Sequence, residues 1–341
     1  MNAIRDTRSA ARFAACRVAS SAAACSGVGR SFTCTTSLTS NNDLTAPETL
    51  AHLLRYDSAL GRLGLPVEVD GAELVVGGRR IQVLAEREPA KLPWAELGVG
   101  IVLESTGRFT AARAARAHID AGARRVLVSA PSDGADVTLA YGVNTEAYDP
   151  ARHVIVSNAS CTTNALAPLA SVLDDLAGIE HGFMTTVHAY TQEQNLQDGP
   201  HRDLRRARAA GVNIVPTTTG AAKAIGQVLP NLDGRLSGDS IRVPVPVGSL
   251  VELNTSVSRE VTRDEVLAAY RAAADGRLRG ILDYADEPLV SSDITGQPAS
   301  SIFDAALTRV HGRHVKVVAW YDNEWGFSNR VVDTLELLAR D

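Results

Sequence analysis

Cys161 is the one cysteine after residue 40, and it stands where the sequence predicts reactive chemistry. It follows the apolar segment HVIVSN and opens CTTNALAPLASVLDDLA, which has the pattern of a helix. Backbone N–H groups and the helix dipole at such a position stabilise a thiolate, so we expect the thiol to have a lowered pKa. A buried structural thiol is the competing interpretation, and the polar residues from Ser160 to Asn164 argue against it.

His188 is the candidate base, 27 residues further along in the alternating segment TTVHAY. Beside a cysteine at a helix start, it could take the thiol proton, as in Cys–His nucleophilic catalysis. The spacing does not show that the two side chains meet, and a core or surface histidine is the alternative. A Cys–His hydrolase would use the same pair, so the pair alone does not name a reaction.

Two further segments could bind anions. Thr217–Gly220 lies at the start of a predicted helix and offers hydroxyls beside a glycine. Arg242 lies inside the apolar segment IRVPVPV, where a charge needs a partner or a ligand. An N-cap and a salt bridge are the plain alternatives, but together the two segments predict a site for one or two phosphates.

The composition excludes several classes of protein. The chain has 341 residues, a net charge of −5 and 45% hydrophobic residues, which is usual for a soluble protein of about two domains. No apolar run reaches the roughly 18 residues of a membrane span. Four arginines lie between residues 202 and 208 of this acidic chain, and we interpret them as a solvated or substrate-facing loop rather than a nucleic-acid site.

The elements that must position these residues fall into two groups. Up to residue 160, short apolar segments alternate with helical ones, which is typical of an α/β domain. We predict helices at 47–56 and 110–121, a hairpin at 73–84 around Gly77-Gly78, and strands at 99–106, 124–131, 137–143 and 153–160.

From residue 160 the pattern changes to longer strands with alternating residues, which predicts an antiparallel sheet. We predict helices at 161–177, 217–229 and 331–339, strands at 183–190, 241–247, 250–258 and 315–322, and a polar loop at 191–216. The domain boundary therefore falls near residues 157–160.

From Asn42 to the C-terminus the chain closely resembles the phosphorylating glyceraldehyde-3-phosphate dehydrogenases, most of all their bacterial members. The matching motifs are NDL at 42–44, HLLRYDS at 52–58, ESTGRF at 104–109, SNASCTTN at 157–164, TTVHAYT at 185–191, DLRRARAA at 203–210, NIVPTTTGAAKAIG at 213–226, RVPVP at 242–246 and WYDNEWGFSNR at 320–330. They follow one another in the order of the family.

The resemblance implies an α/β fold of two domains. A Rossmann-type NAD-binding domain with a degenerate first βαβ unit would occupy 41–160 and take up the C-terminal helix at 326–341. An α+β catalytic domain with an antiparallel sheet would occupy 161–325, which leaves 1–40 as an atypical leader. Members of the family are tetramers, so we expect a cytoplasmic homotetramer without a metal, membrane or nucleic-acid partner, in which the loop at about 190–215 faces another subunit and the cofactor.

The implied reaction is NAD-dependent and converts glyceraldehyde 3-phosphate plus inorganic phosphate to 1,3-bisphosphoglycerate. Cys161 matches the nucleophile that forms a thiohemiacetal and then a thioester, and His188 matches the base. Two alternatives remain open. One is an erythrose-4-phosphate dehydrogenase, which shares both residues, and the other is a catalytically impaired relative that does not bind NAD.

The phosphate-binding residues carry over from the family by position. Thr191, Arg206 and Arg242 match the site for the substrate phosphate. The site for the attacking phosphate is matched by Ser160, Thr162, Thr219 and Gly220.

Six positions match the cofactor site of the family. Asp43 matches the acid on the adenosine ribose, where its charge would repel a 2′-phosphate and so favours NAD over NADP. Asn323 matches the group that holds the nicotinamide carboxamide, and Phe327 stands where the family usually has tyrosine. The cleft itself is lined by Thr106, Gly107 and Ser129.

The leader lacks the strand and the turn GFGRIG with which the family's NAD-binding domain begins. Residues 27–30 read Gly-Val-Gly-Arg without a third glycine, no apolar strand precedes them, and the segment before Asp43 is polar. The first 40 residues carry five arginines against one acid, Asp6, and three of the four cysteines. Three interpretations are open: a transit peptide, a divergent folded segment, or a stretch read in a different frame from its ancestor.

Overall fold

The computed structural model describes residues 38–340, which form two compact units. The first unit holds the described residues up to Leu139 with Glu146–Asn158 and Ser328 onward, and the second holds Ala140–Thr145 and Ala159–Phe327. After Asn158 the chain leaves the first unit, and the long segment of the second unit begins at Ala159. The interpretations of the leader before residue 38, including its glycine-poor turn, fall outside the described residues.

The first unit contains two helices and ten short strands among its described residues. The helices are α1 (Pro47–Arg55) and α2 (Ala112–Asp120). The strands are β1 (Ser40–Asn42), β2 (Tyr56–Asp57), β3 (Gly61–Arg62), β4 (Val67–Asp70), β5 (Glu73–Val76), β6 (Arg79–Leu84), β7 (Ile101–Glu104), β8 (Arg125–Val128), β9 (Val137–Thr138) and β10 (Ile155–Ser157).

The strands of the first unit form two four-stranded sheets and a small hairpin. One sheet has the order β7-β8-β10-β9 and is parallel throughout, as a Rossmann-type domain requires. Its apolar face packs on α2, where Ala112 and Ala115 meet Val126, Val128 and Ile155. The other sheet has the order β1-β6-β5-β4, and β2 pairs with β3.

The predicted hairpin between β5 and β6 is confirmed. The strands pair antiparallel, and the turn consists of Gly77 and Gly78 with φ values of 56° and 83°. Residues with side chains rarely adopt such positive φ angles, whereas a two-residue hairpin turn needs them.

A short strand also forms where the sequence predicts none. The polar residues Ser40–Asn42 make β1, which pairs parallel with β6 in the register Ser40 to Gln82. The polar residues give no local signal of a strand. The strand forms because it pairs with β6, which lies some forty residues away in the sequence. The last residues of the leader, as we bounded it, therefore belong to the folded body.

The second unit is built on one large mixed sheet. Its strands are β11 (Ile179–Ala189), β12 (Val215–Thr218), β13 (Leu236–Val243), β14 (Ser249–Val257), β15 (Leu282–Ala285), β16 (Ser301–Asp304), β17 (Arg309–His311) and β18 (His314–Tyr321). The order is β12-β13-β11-β14-β18-β16-β15, with β17 also paired to β18. The sheet is mainly antiparallel, but β11 pairs parallel with β13, and β15 with β16.

Helices cover this sheet and build its core. They are α3 (Cys161–Ala177), α4 (Ala221–Val228) and α5 (Arg263–Asp275), and α6 (Trp325–Leu338) begins in this unit and continues in the first. The helix α3 matches its predicted bounds and is buried along almost its whole length, because it lies against both α4 and the strands β14 and β18. Leu166, Leu169 and Leu173 are fully buried in this core.

Several predicted elements have different limits. The strand at 137–143 is wrong beyond Thr138, because the chain turns there and Gly142 takes a φ of 85°. The helix predicted from 217 begins at Ala221, since the preceding residues form β12. The last helix begins at Trp325, six residues before the start that the sequence pattern indicated and one before the start that the resemblance implied. The carboxylate of Asp322 accepts hydrogen bonds from the N–H groups of Glu324 and Trp325 at this start. The helix α5 was not predicted at all.

In the part of the chain from 38 to 340, no helix combines the length and the apolarity that a bilayer crossing demands.

The close approach of β11 and β13 at Gly238 gives a stability prediction. A Cβ atom at this position would overlap the carbonyl oxygen of Met184. Gly238→Ala must therefore wedge the two strands apart, and we expect it to lower the free energy of unfolding by about 2 kcal/mol. Urea unfolding measures the change.

Gly211→Ala is the matched control, because a Cβ there meets nothing within 4 Å and its φ is not positive. Equal stability of the two variants would contradict the close approach.

Candidate active site

Cys161 is the first residue of α3, so its backbone lies at the start of the helix. Ser160 is the N-cap, and its Oγ accepts a hydrogen bond of 3.1 Å from the N–H of Thr163. The chain enters this cap through Ala159, whose φ of 55° is left-handed and unusual for a residue with a side chain. This left-handed residue lies directly before the N-cap of α3.

The structure brings Cys161 and His188 together. The Sγ of Cys161 lies 3.4 Å from the Nε2 of His188. The other ring nitrogen, Nδ1, lies 2.7 Å from the carbonyl oxygen of Ala189. Nδ1 has two neighbours, this carbonyl and the guanidinium of Arg242 at 3.1 Å. The carbonyl only accepts and is the nearer of the two, so we assign the proton to Nδ1, and the lone pair of Nε2 then faces the thiol. The imidazole is thus oriented to accept a proton from Sγ.

Burial determines the charge of this pair. It raises the pKa of the Cys161 thiol, although a hydrogen bond from Thr162 and the positive charge of Arg242 oppose it. Burial also lowers the pKa of His188 to about 3, and the charge of Arg242 adds to that effect. The expectation of a lowered thiol pKa is therefore wrong, because desolvation outweighs the helix dipole. At neutral pH the pair is therefore a neutral thiol beside a neutral imidazole.

Tyr321 supports both partners, and sequence reasoning missed it. Its hydroxyl lies 3.0 Å from the Oγ1 of Thr162 and 2.8 Å from that of Thr186, and its ring meets the imidazole of His188 edge-on. Burial raises the pKa of Tyr321, so the phenol stays protonated and hydrogen-bonded. A tyrosine in an apolar strand gives no sequence signal of this role. Its bond to Thr162 also commits a hydroxyl that was expected to face the attacking phosphate.

Arg242 lies beside the imidazole because of strand register. β11 and β13 run parallel with His188 opposite Arg242. The Nη1 of Arg242 lies 3.1 Å from Nδ1 of His188 and donates to the carbonyl of Ala189 and to the Oγ1 of Thr191, at 3.2 and 3.1 Å. Two of the residues expected to bind the substrate phosphate, Thr191 and Arg242, are therefore in contact with each other, and Arg242 also contacts the histidine.

Arg206 completes this cluster from the long loop. Its Nε donates to the Oγ1 of Thr217 at 2.9 Å, and its Nη1 pairs with the carboxylate of Glu193 at 2.7 Å. Glu193 also lies 3.7 Å from Arg242, so it connects the two arginines. The loop arginines do not form one basic patch, since Arg208 pairs with Asp198 on the exposed surface.

The segment Thr217–Gly220 is divided between a strand and a helix cap. Thr217 belongs to β12, whereas Gly220 is the exposed N-cap of α4 and offers no side chain. The Oγ1 of Thr219 accepts a hydrogen bond of 3.2 Å from the N–H of Ala221. A Cβ at Gly220 would meet nothing within 4 Å, so the helix start opens onto free space. Backbone N–H groups at such a start suit an anion.

Asn323 is joined to the strand of His188 through one hydroxyl. Its Oδ1 accepts hydrogen bonds from the N–H of Gly248 and from the Oγ of Ser249, at 3.2 and 3.1 Å. The same Oγ accepts from the N–H of Ala189 at 3.1 Å. These bonds occupy Oδ1 and fix the orientation of the amide, so its Nδ2 is left as a donor. Phe327 lies half-buried at the end of the unit.

The expected cofactor residues of the first unit follow the carboxyl ends of parallel strands. Asp43 comes after β1, Thr106 after β7, and Ser129 after β8. Open α/β sheets bind their ligands at such ends. Gly107 has a φ of 71°, and a Cβ there would meet nothing within 4 Å, so a ligand can approach the backbone. The described residues of this unit therefore fit a dinucleotide, while the expected glycine-rich turn falls outside them.

A buried polar network holds the turn at Thr106. Glu104 accepts a hydrogen bond of 2.8 Å from the N–H of Thr106, and its other oxygen lies 3.0 Å from the Nε2 of His118. Trp94 donates to the Nδ1 of His118 at 3.1 Å. Burial alone would raise the pKa of Glu104, but the bonds from His118 and Thr106 outweigh it and hold the pKa below its usual value. The sequence showed ESTGRF, but not the partner His118.

No group of three or more His, Cys, Asp and Glu side chains that could hold a metal ion occurs within 38–340.

Comparison with known proteins gives a consistent result. The family pattern "Glyceraldehyde 3-phosphate dehydrogenase, NAD binding domain" matches residues 33–112, and the "C-terminal domain" pattern matches residues 160–323. The first match begins after residues 27–30, where the glycine-rich turn was expected.

Curated bacterial proteins match most of the chain. The glyceraldehyde-3-phosphate dehydrogenase of Kitasatospora aureofaciens is 82% identical over 298 residues, which are 87% of this chain and 90% of that protein. Glyceraldehyde-3-phosphate dehydrogenase 1 of Streptomyces avermitilis is 60% identical over 88% of the chain and 90% of its own length. The enzyme of Mycobacterium tuberculosis is 58% identical over 88% of each.

The lowered pKa of His188 predicts an acid-dependent loss of stability. In the unfolded chain the imidazole binds a proton below its usual pKa of 6.5, whereas in the folded protein it stays neutral down to about pH 3. Stability therefore falls as the pH drops through this window, by about 2 kcal/mol between pH 7 and pH 5. His188→Gln cannot titrate, so its free energy of unfolding should fall by that much less. If the free energy of unfolding changed by the same amount between pH 7 and pH 5 in both proteins, the buried neutral state of His188 would be contradicted.

Proposed function

The chain belongs to the glyceraldehyde 3-phosphate dehydrogenase family, and on that basis we propose that it oxidises glyceraldehyde 3-phosphate with NAD and inorganic phosphate to 1,3-bisphosphoglycerate. The observation that carries the proposal is the contact of 3.4 Å between Cys161 Sγ and His188 Nε2. Arg242 lies beside the other ring nitrogen of the same imidazole and donates to Thr191, where a substrate phosphate would be bound.

In the first step Sγ of Cys161 adds to the aldehyde carbon. Since the thiol is protonated at rest, Nε2 of His188 takes its proton as the carbon–sulfur bond forms, and the proton passes to the carbonyl oxygen to give a thiohemiacetal. The backbone N–H of Cys161, at the helix start, helps to stabilise the developing oxyanion. Thr191, Arg206 and Arg242 hold the substrate phosphate and fix the aldehyde near Sγ.

NAD, when bound, supplies the hydride acceptor that turns the thiohemiacetal into a thioester. His188 takes the hydroxyl proton in this step. Asn323 Nδ2 would hold the nicotinamide carboxamide beside Phe327, and Asp43 would hold the adenosine ribose. Thr106, Gly107 and Ser129 would contact the remainder of the cofactor.

Inorganic phosphate then attacks the thioester carbon, and the carbon–sulfur bond breaks to release the acyl phosphate. The protonated His188 returns its proton to the departing thiolate of Cys161, which restores the neutral pair. We assign the attacking phosphate to Ser160, Thr162, Thr219 and Gly220. The hydroxyl of Thr162, which lies 3.0 Å from that of Tyr321, would exchange this contact for the phosphate.

We propose a homotetramer in the cytoplasm, where the soluble substrates occur. The exposed apolar side chains of the long loop support an assembly, because such a group on a monomer usually marks an interface. They are Leu196, Leu204, Val212 and Ile214. Light scattering should give four times the chain mass, and a monomer would contradict this part of the proposal.

Replacement of the proposed nucleophile tests the chemistry. Cys161→Ser keeps the size of the side chain but provides a much poorer nucleophile, so we expect turnover to fall by about a thousandfold or more. The variant should bind NAD as the unmodified protein does, which fluorescence titration checks. Retained turnover would remove Cys161 from this role.

Titration of the purified protein with NAD tests the cofactor. We expect saturable binding, with weaker binding of NADP because of the charge of Asp43. Undetectable binding at millimolar NAD would contradict the dehydrogenase proposal and favour an impaired relative. Faster turnover of erythrose 4-phosphate than of glyceraldehyde 3-phosphate would contradict the assignment of the aldehyde.

A further inference from the structure

A carboxylate already occupies the centre of the proposed substrate-phosphate site. The Oε1 of Glu193 lies 2.7 Å from Nη1 of Arg206, 3.7 Å from Nη2 of Arg242 and 3.5 Å from the Oγ1 of Thr191. One oxygen of Glu193 therefore meets all three residues that we assign to the phosphate. An anionic oxygen between two guanidinium groups and a hydroxyl has the contacts that a phosphate oxygen would make there.

We propose that Glu193 is an internal competitor of the substrate phosphate, which must leave this position before a phosphorylated aldehyde can bind. The residue thereby sets the affinity of the enzyme for its substrate. This inference rests on the proposed function, because it takes Thr191, Arg206 and Arg242 as the phosphate site.

The cations of the cluster are fixed, whereas the carboxylate is free to move. The side chains of Arg206 and Arg242 are only 16% and 14% exposed, but that of Glu193 is 46% exposed. Arg206 keeps Thr217, the carbonyl of Thr218 and the nearby Asp203 as partners when Glu193 leaves. Rotation of Glu193 into solvent would therefore open the site without loss of its cationic side chains.

Arg242 has spare capacity for a ligand. Its Nη1 donates to Ala189 and Thr191, but its buried Nε has no hydrogen-bond partner among the described residues. The carboxylate of Glu193 stays 3.7 Å away, longer than a hydrogen bond. A phosphate has more oxygens than this single carboxylate contact provides, so it can satisfy donors that Glu193 leaves unsatisfied.

Charge explains why the exchange favours a phosphorylated substrate. A carboxylate carries one negative charge, whereas a phosphate monoester carries between about 1.5 and 2 at neutral pH. The dianion therefore gains more from Arg206 and Arg242 than Glu193 loses by entering water. An aldehyde without a phosphate has no anionic group that could replace the carboxylate of Glu193 at the arginines. It therefore gains no binding energy from this site.

Glu193→Gln removes the competing charge and keeps the shape of the side chain. We expect the variant to bind glycerol 3-phosphate, which has the phosphate but no aldehyde, about tenfold more tightly in calorimetry. The KM for glyceraldehyde 3-phosphate should fall by a similar factor with little change in kcat. The KM for unphosphorylated glyceraldehyde should not change. Glu193→Asp keeps the charge on a shorter side chain. Its affinity for glycerol 3-phosphate should lie between those of the unmodified protein and Glu193→Gln.

Glu180→Gln is the matched control. Glu180 is an exposed carboxylate at the opposite end of β11, paired with exposed Arg313 at 3.4 Å. The substitution removes the same charge at a position remote from the arginine cluster, so it shows any effect of net charge alone. Ligand affinity should stay at the level of the unmodified protein.

A loss of affinity for glycerol 3-phosphate, instead of a gain, would identify a structural role for Glu193. If Glu193 merely orients Arg206, Glu193→Gln will bind glycerol 3-phosphate more weakly, and weaker or unchanged binding overturns the inference. The gain in affinity must also disappear when Arg242→Gln is added, since tighter binding that persists there would come from another anion site. If Glu193→Gln does not fold, Glu193→Asp decides, because affinity no higher than in the unmodified protein overturns the inference.

Failure of the proposed function would look different. The calorimetric measurement needs neither NAD nor turnover, so it tests the competition by itself. Suppose that the protein binds glycerol 3-phosphate as expected but does not oxidise glyceraldehyde 3-phosphate. This result would support the phosphate site and contradict the dehydrogenase proposal.

Discussion

The parallel pairing of β11 with β13 is the constraint on which the rest of the site depends. It sets His188 beside Arg242, so that a guanidinium group lies 3.1 Å from the imidazole within a mostly buried site. A buried charge needs partners, and Thr191, the carbonyl of Ala189 and Glu193 provide them. A slip of one residue in this register would turn the histidine to the opposite face of the sheet. The proposed base and the proposed phosphate site therefore depend on a single strand pairing.

The fold could be predicted where the signal is local. The helix α3 has its predicted bounds because polar N-cap residues precede a long periodic segment, and the hairpin at Gly77-Gly78 follows from turn chemistry. The strand at 137–143 failed because alternating apolar residues do not reveal whether a neighbouring strand is present. The strand β1 was missed for the opposite reason, since its polar residues are held by pairing with β6. The helix α5 carried a usable signal, because the capping box Thr262–Glu265 is visible in the sequence.

The residues of the site could likewise be predicted only where their signal is local. A cysteine at a helix start and a histidine in a strand could be read from the sequence, but their distance could not, because it depends on how α3 packs on the sheet. The direction of the thiol pKa was wrong because the helix dipole is a local property, whereas burial is a property of the whole fold. Tyr321 and Glu193 gave no sequence signal, since each acts through partners from several elements.

The hydroxyl of Ser249 links two parts of the site that have different proposed tasks. It accepts from the N–H of Ala189, next to the proposed base, and donates to Asn323, the proposed carboxamide ligand. A change in either neighbour therefore alters the geometry of the other through one oxygen atom. Substitutions at Ser249 and Asn323 should not have additive effects on activity. During divergence of related enzymes, the proton-transfer side and the cofactor side of this site cannot vary independently.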